Sequence, residues 1–252
     1  MISYAKRRKI GVISSTNGHV FAAGDHAERL VRSGIDYIIV ALDGVTQATY
    51  EQYRQDGDLA TVKAGIKRIV EARRALNSRT PLIDMRFIVM RHNEHEIPQL
   101  KELARSLEAD ALTLRALCTY DDGEYCVTEA DGSAFVPENA AYHPFKPDPQ
   151  RQSRIRRDAN PCKVLWNNPA IHSDGKVFPC SFDPHGRDAL GDLMESSFAD
   201  IWWGQGYRGL RREFRKNYQQ LSLCRDCTYA FEGGSMGEER DREAYFFNPQ
   251  AG

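Results

Sequence analysis

The chain has 252 residues, of which 41% are hydrophobic and 27% are charged, and its formal net charge is −1. That length allows one large domain or two modest ones with a buried core. The balanced charge gives no field that would attract nucleic acid or a membrane surface, and the apolar runs are too short for a membrane-spanning helix. Since no targeting segment is recognisable, we expect a cytoplasmic protein without nucleic-acid or membrane partners.

The first 117 residues alternate short apolar runs with amphipathic stretches, a pattern typical of βα units that build a parallel sheet. Residues 1–9 have the pattern of a helix end with basic residues in its last turn. Asp25 with Glu28 has the spacing of a capping box, and Asn93 with Glu96 is predicted to begin another helix. Strands are predicted at residues 10–14, 37–41, 82–90 and 111–116, and helices at residues 25–33, 46–55, 59–77 and 93–107.

Residues 118–158 are rich in proline, aspartate, tyrosine and glycine and have no sustained period, so they are predicted to form a connecting loop. Beyond it, helices are predicted at residues 197–203 and 206–218. The basic residues of the second helix are interpreted as a solvated face. The polar tail after Gly233 is expected to fray. We therefore predict three regions, at residues 1–117, 118–158 and 159–252.

Four cysteines in the last third of the chain are spaced like the ligands of a metal site. Cys162 and Cys180 bracket two apolar runs that flank Ser173-Asp-Gly175, the signature of a hairpin turn. Cys224 and Cys227 form a CxxC after a helical stretch. A hairpin that ends at Cys180 can bring its thiols against the CxxC, and four thiolates together suit zinc or an iron-sulfur cluster.

Other interpretations of these cysteines are weaker. A disulfide framework is not expected from six cysteines in 252 residues without a secretory signal. If the four cysteines were unrelated buried thiols, their paired spacing would be accidental. A structural zinc site held by four thiolates stays open, and it would stabilise the fold by roughly 10 kcal/mol or more.

This module resembles the C-terminal SPASM or twitch segment of radical S-adenosylmethionine (radical SAM) enzymes, which holds an auxiliary 4Fe-4S cluster. The full SPASM pattern has further cysteines where this chain has Gly233 and Gly237, so the shortened twitch form is the closer likeness. The resemblance implies one auxiliary cluster with four protein ligands, Cys162, Cys180, Cys224 and Cys227. It is carried by these cysteines with Trp166, Gly175-Lys-Val-Phe-Pro-Cys180, Leu190-Gly-Asp192 and Ile201-Trp202.

The first half of the chain resembles the later strands of the radical SAM barrel. Thr16-Asn17-Gly18 follows the first strand as the TNG motif of the family does, and Ala41-Leu-Asp43-Gly44 matches its SxDG motif with alanine in place of serine. Arg54 stands where family members place an arginine that holds the methionyl carboxylate of the cofactor. The resemblance thus implies that Asn17, Asp43 and Arg54 bind cofactor. Turn dipeptides and a surface arginine are the alternative interpretation of these residues.

One motif of the family does not occur in these 252 residues. Radical SAM chemistry needs a CxxxCxxC loop for the cluster that cleaves S-adenosylmethionine, and this spacing is absent, as is the glycine-rich GGEP-type segment. In the family, both precede the helix that residues 1–9 resemble. We therefore expect an N-terminally truncated α/β protein: a partial (β/α) radical SAM barrel of about four parallel strands with helices, then a small α+β SPASM/twitch iron-sulfur module.

The function implied by the resemblance belongs to an intact relative, which would use S-adenosylmethionine to abstract hydrogen from a peptide or small-molecule substrate. For this chain alone we expect no activity, no catalytic residue, and S-adenosylmethionine as a cofactor only if the absent N-terminal part is supplied. One alternative is a stand-alone iron-sulfur electron-transfer protein, or a subunit whose partner chain supplies the missing strands. The other is a structural four-cysteine zinc protein.

Overall fold

The computed structural model describes residues 1–117, 134–139, 141–142, 162–181, 183, 186–225 and 241–248. The chain divides into two compact units. The first, here called the sheet unit, comprises Met1–Pro144 and Arg240–Gly252. The second, here called the cysteine unit, comprises Phe145–Glu239. Most of the loop predicted at residues 118–158 lies outside the described residues.

The strands and helices alternate through the sheet unit and become shorter in the cysteine unit. The strands are β1 (Ile13–Thr16), β2 (Tyr37–Ala41), β3 (Leu82–Val89), β4 (Ala111–Ala116), β5 (Ala170–Ile171), β6 (Lys176–Phe178), β7 (Gly191–Asp192) and β8 (Asp241–Phe246). The helices are α1 (Ile2–Arg7), α2 (His26–Arg32), α3 (Gln47–Tyr53), α4 (Leu59–Ala75), α5 (Ile97–Ser106), α6 (Val164–Asn167), α7 (Phe198–Trp202), α8 (Gln205–Asn217) and α9 (Ser222–Arg225). Short 3₁₀ turns lie at His19–Ala22, Glu94–Glu96 and Tyr218–Gln220.

The sheet unit is built on a five-stranded sheet with the order β1-β2-β3-β4-β8. The strands β1 to β4 are parallel, as the βα pattern predicts, and α4 packs its apolar side against the core of the sheet. Along β2 every second residue is buried, because a strand turns alternate side chains to opposite faces. Most residues of β3 and β4 are buried, which is typical of parallel strands covered on both faces. The core includes Ile38, Val40, Met85, Phe87, Leu112 and Leu114 from the strands and Val62, Ile66 and Ile69 from α4.

The predicted element boundaries of the sheet unit are partly right. Strands β2 and β4 have the predicted bounds, whereas β1 begins at Ile13 and not at residue 10. The capping box predicted for α2 is wrong: the Asp25 side chain makes no cap hydrogen bond, and Glu28 accepts instead from Arg32 Nε at 2.7 Å. An exposed arginine one turn away competes successfully for the same carboxylate.

The prediction that the tail frays is wrong for residues 241–246. These residues form β8, which pairs antiparallel with the outer edge of β4, so they belong to the sheet unit and not to the predicted region 159–252. The side chains of Tyr245 and Phe247 pack against the core, and the Lys101 ammonium lies 3.8 Å from the centre of the Tyr245 ring. An edge strand needs few apolar side chains, because its main contribution is backbone pairing.

The hairpin predicted in the cysteine unit is confirmed. Strands β5 and β6 pair antiparallel, Gly175 takes a φ of +90° in the turn between them, and β7 adds a third strand. Helix α8 turns Tyr207 and Phe214 inward, and it exposes Arg212 on the predicted solvated face. That prediction is wrong for Arg211, which is buried. In the described residues, no helix is both long and apolar enough to cross a membrane.

Candidate functional site

Asp43 lies two residues beyond β2 and is completely buried. Its Oδ2 accepts from Arg54 Nε at 2.7 Å and lies 2.5 Å from Arg54 Nη2, while its Oδ1 accepts from the Ile88 N–H at 2.8 Å. Burial raises the pKa of the Asp43 carboxyl, and the Arg54 charge and the Ile88 N–H oppose that rise. The carboxylate therefore joins the end of β2 to β3 and fixes the orientation of Arg54.

Two further polar side chains brace this region from the turn after β3. Asn93 Nδ2 donates to the carbonyl oxygens of Asp43 at 3.0 Å and of Ile88 at 2.9 Å. Glu96, 1% exposed, accepts from the Val45 N–H at 2.7 Å. The spacing of Asn93 and Glu96 predicts a helix start. It does not predict these bonds, because a capping pattern does not show whether a side chain bonds to its own helix or to a segment about 50 residues away.

Three residues are predicted to bind cofactor: Asn17 follows β1, Asp43 follows β2 and Arg54 follows α3. Only Asp43 and Arg54 contact each other. Asn17 is exposed, and its Oδ1 accepts from the His19 N–H of its own turn at 3.3 Å. Arg54, with 29% of its side chain exposed, gives Nε and Nη2 to Asp43. Among the described residues its Nη1 has no hydrogen-bond partner, so this nitrogen could take a ligand carboxylate.

Cys162 lies just before α6 in the cysteine unit. Burial raises the pKa of its thiol, and hydrogen bonds from the backbone N–H groups of Val164 and Leu165 oppose that rise. Both N–H groups belong to the first turn of α6, where such donors have no partner within the helix. Two donors directed at one sulfur favour the thiolate, which is the form that binds metal ions.

Cys180 follows β6 and is 8% exposed. The hydroxyl of the buried Tyr207 on α8 donates to the Phe178 carbonyl at 2.9 Å, two residues before this cysteine. Burial raises the pKa of Tyr207 to about 12, with the Arg211 charge opposing the rise and Cys180 adding to it. Tyr207 thus ties the strand that carries Cys180 to helix α8.

Cys224, 7% exposed, packs with Leu165 and Phe214 in an apolar cluster that Cys162 also contacts. Cys227 lies outside the described residues. In the part of the chain that the structure describes, no three His, Cys, Asp or Glu side chains lie close enough together to hold a metal ion. The structure therefore brings Cys162 and Cys224 into one cluster and places Cys180 in the same unit, while the set of four ligands stays a prediction.

The described cysteines fit an iron-sulfur group by their chemistry. Thiolates are the usual ligands of such a cluster, and N–H groups directed at sulfur are one of the means by which proteins tune it. Cys180 and Cys224 are buried from water. Cys162 and Cys224 belong to an apolar cluster with Trp166 and Phe214, whose ring centres are 5.7 Å apart.

Comparison with protein families gives a match over residues 162–228 to SPASM, described as an iron-sulfur cluster-binding domain. A tungsten-containing aldehyde ferredoxin oxidoreductase cofactor-modifying protein of Pyrococcus furiosus is 25% identical over 253 residues, which cover 90% of this chain and 68% of the relative. A probable GTP 3′,8-cyclase of Methanococcus maripaludis is 29% identical over 110 residues, or 43% of this chain and 34% of the relative.

Among solved structures, SuiB of Streptococcus suis has a similar fold. The crystal structure of SuiB bound to its precursor peptide SuiA matches with a TM-score of 0.58 and 16% identity, over 96% of this chain and 60% of SuiB. SuiB bound to S-adenosylmethionine matches with a TM-score of 0.57 over 90% of this chain and 56% of SuiB. The chain thus spans less than two thirds of SuiB, and at this identity the likeness concerns the fold.

Proposed function

We propose that this chain is a radical SAM/SPASM protein whose cysteine unit holds one auxiliary 4Fe-4S cluster through four thiolates, a proposal supported by the SPASM match and by the relatives named above. The proposed ligands are Cys162, Cys180, Cys224 and Cys227. The observation that carries the proposal is the SPASM match over residues 162–228, which includes all four cysteines. When bound, such a cluster supplies one-electron transfer at a potential set by hydrogen bonds, charge and burial.

The residues around the proposed ligands hold the thiols in place and exclude water. Tyr207 fixes the strand before Cys180, and α6 directs two N–H groups at Cys162. The apolar side chains around Cys224 keep the thiol away from solvent. A bound cluster should therefore be retained and not be lost to solution.

For the sheet unit we propose that Asn17, Asp43 and Arg54 face S-adenosylmethionine when a CxxxCxxC cluster loop is supplied. Arg54 would bind the methionyl carboxylate through Nη1, because Asp43 already holds its other two nitrogens. Asp43 would then act by positioning Arg54 and not by contacting the cofactor through its own carboxylate.

The reaction we propose for the assembly that carries this loop is hydrogen abstraction from a peptide or a small-molecule substrate. The SuiB complex with its precursor peptide supports the peptide class. The relatives named for cofactor modification and for GTP cyclisation support the small-molecule class. The 252 residues by themselves carry no CxxxCxxC, so we propose that they do not cleave S-adenosylmethionine alone.

The ligand proposal is tested by replacing one proposed ligand and one other cysteine. After anaerobic reconstitution with iron and sulfide, Cys224→Ser should bind less iron and lose part of its visible iron-sulfur absorption, since a ligand is removed. Cys118→Ser, outside the proposed set, should bind as much iron as the unmodified chain. Equal iron content in Cys224→Ser and the unmodified chain would contradict the proposal.

The inactivity of the isolated chain has a separate test. Incubation of the reconstituted chain with S-adenosylmethionine and dithionite should give no 5′-deoxyadenosine by liquid chromatography. Repeated turnover to 5′-deoxyadenosine would show that a cluster bound elsewhere in these residues cleaves the cofactor, and the proposal would then be wrong.

A further inference from the structure

Arg211 lies in the middle of α8 and is only 8% exposed, although Arg208, Arg212 and Arg215 of the same helix are exposed. Burial lowers the pKa of its guanidinium, yet arginine stays protonated at physiological pH. The cysteine unit therefore carries a positive charge in its interior, and a charge in that position needs a physical reason.

The guanidinium is held in a fixed place by carbonyl oxygens and aromatic rings. Its Nε donates to the Leu165 carbonyl at 2.8 Å, and its Nη1 donates to the Trp202 carbonyl at 3.0 Å. Its central carbon lies 4.1 Å from the ring centre of Trp202 and 4.8 Å from that of Tyr207. These contacts fix the position of the charge but supply no negative charge to compensate it.

No carboxylate compensates this charge in the described part of the chain. Arg211 forms no ion pair with a described residue, and its Nη2 is buried without a hydrogen-bond acceptor. An uncompensated buried charge is costly, so an anionic partner within the same unit is expected. A thiolate-bound 4Fe-4S cluster is such an anion.

The contacts of Arg211 also lead directly to a proposed cluster ligand. Leu165, whose carbonyl accepts from Arg211, donates its own N–H to the Cys162 sulfur. One turn before Arg211 on α8, Tyr207 holds the strand before Cys180, and about one turn after it Phe214 lies in the same apolar cluster as Cys224. Side chains of α8 therefore bond to the segments of Cys162 and Cys180 and share a cluster with Cys224, and Arg211 lies between these side chains on the helix.

We propose that Arg211 is a positioning residue that raises the reduction potential of the auxiliary cluster, an inference that rests on the cluster proposed above. One-electron reduction adds a negative charge to the cluster, so a fixed buried cation stabilises the reduced form more than the oxidised form. By holding Leu165, Arg211 also keeps an N–H group on the Cys162 sulfur, and this hydrogen bond acts in the same direction.

The test is a redox titration of the reconstituted 252-residue chain with dithionite as the electron donor, followed by electron paramagnetic resonance of the reduced cluster. Arg211→Gln removes the buried charge, Arg212→Gln removes the same charge from an exposed position of the same helix, and Arg211→Lys keeps the charge. The midpoint potential should fall furthest in Arg211→Gln and should stay near that of the unmodified chain in Arg212→Gln. In Arg211→Lys it should lie closer to the potential of the unmodified chain than in Arg211→Gln. Equal potentials for the two glutamine variants would overturn the proposal.

A second pair of variants leaves Arg211 in place and decides the matter if Arg211→Gln binds no iron. Trp203 is 66% exposed, with its ring centre 5.8 Å from the Arg211 central carbon, so Trp203→Glu places a carboxylate beside the guanidinium. Gln205→Glu adds the same charge at an exposed position at the start of α8. Trp203→Glu should lower the potential more than Gln205→Glu, and an equal effect would overturn the inference.

The two proposals fail in distinguishable ways. An unmodified chain that takes up no iron and sulfide would refute the cluster itself. If the chain takes up a cluster but the two variants of each pair have equal midpoint potentials, only the role of Arg211 is refuted.

Discussion

At the scale of single residues, buried polar side chains organise both regions of interest. Asp43 holds Arg54 and the Ile88 N–H in the sheet unit, and Tyr207 and Arg211 hold backbone carbonyls in the cysteine unit. Each of these side chains is buried and bonded to a segment distant in sequence. Such bonds stabilise a particular arrangement because breaking one leaves a buried group without a partner.

Replacing Asp43 tests whether the loss of a buried bonding partner destabilises the sheet unit. Asp43→Asn removes the negative charge that faces Arg54, and we expect the free energy of unfolding to fall by about 3 kcal/mol, since one partner of a buried ion pair is lost. The matched control is Asp25→Asn, an exposed carboxylate whose nearest arginine nitrogen is 3.8 Å away. Urea unfolding followed by circular dichroism measures both, and equal stability of the two variants would contradict the structure.

The buried hydroxyl of Tyr207 should make the free energy of unfolding depend on pH. Its pKa is about 12 in the folded chain and 10.0 in its ordinary state, so the folded chain retains the proton more strongly. This contribution to the free energy of unfolding is fully present below pH 10 and is lost as the pH rises to about 12.

The variant Tyr207→Phe isolates this contribution. It should lower the free energy of unfolding by about 1 kcal/mol at neutral pH, because the Phe178 carbonyl loses its donor. Above pH 10 the difference between the two proteins should shrink. Denaturant unfolding across this range provides the measurement, and a constant difference would show that folding does not raise the pKa of Tyr207.

At the residue scale, the sequence displays spacings and motifs but not the distant groups that a side chain contacts. The spacing of cysteines and the motifs around Asn17 and Asp43 are local patterns, so the sequence displays them directly. Basic residues at helical spacing are usually exposed, so the sequence predicts a solvated face for Arg211. Its burial depends on aromatic rings and on a carbonyl 46 residues away, which no local pattern reveals.

At the scale of elements, the parallel strands were the most predictable part of the fold. Strands β2 and β4 are short apolar runs with clear ends, and both were placed correctly. Strand β8 was missed because its polar composition gives no apolar alternation, and its partner β4 lies more than 120 residues earlier in the chain.

The pairing of β8 with β4 is testable by hydrogen exchange. Ala244 pairs with Thr113, and Ala244→Pro would remove a backbone N–H from β8. We expect faster amide exchange of residues 111–116 in this variant by mass spectrometry. Ala244→Val keeps the N–H and should leave that exchange unchanged. Slow exchange of residues 111–116 in the proline variant would show that β8 does not protect β4.

Two helical glycines provide a contrast in packing. A Cβ on Gly65 of α4 would stand 2.4 Å from the Gly18 carbonyl oxygen, whereas a Cβ on Gly209 of α8 would meet no heavy atom within 4 Å. Alanine is the better helix former, so Gly209→Ala should raise the free energy of unfolding by about 0.5–1 kcal/mol. Gly65→Ala should lower it by about 1–3 kcal/mol because the backbone must move apart. Thermal unfolding of both variants measures the sign, and a stabilising Gly65→Ala would contradict the close approach of α4 to Gly18.

At the scale of the whole molecule, the chain combines a sheet unit and a cysteine unit. The likeness of residues 162–228 to a SPASM domain was predictable from the sequence. Cysteine spacing and turn motifs carry family likeness because metal ligation and strand ends constrain them locally. The division of the chain was less predictable: the region expected at residues 159–252 ends in a strand that belongs to the sheet unit.

Metal and sulfide analysis is the direct test for one 4Fe-4S cluster in the cysteine unit. The chain, purified without oxygen from iron-replete cells, should contain about four iron and four acid-labile sulfide ions per molecule, the content of one such cluster. One zinc ion per chain without sulfide would contradict this account and would favour a structural four-cysteine zinc site.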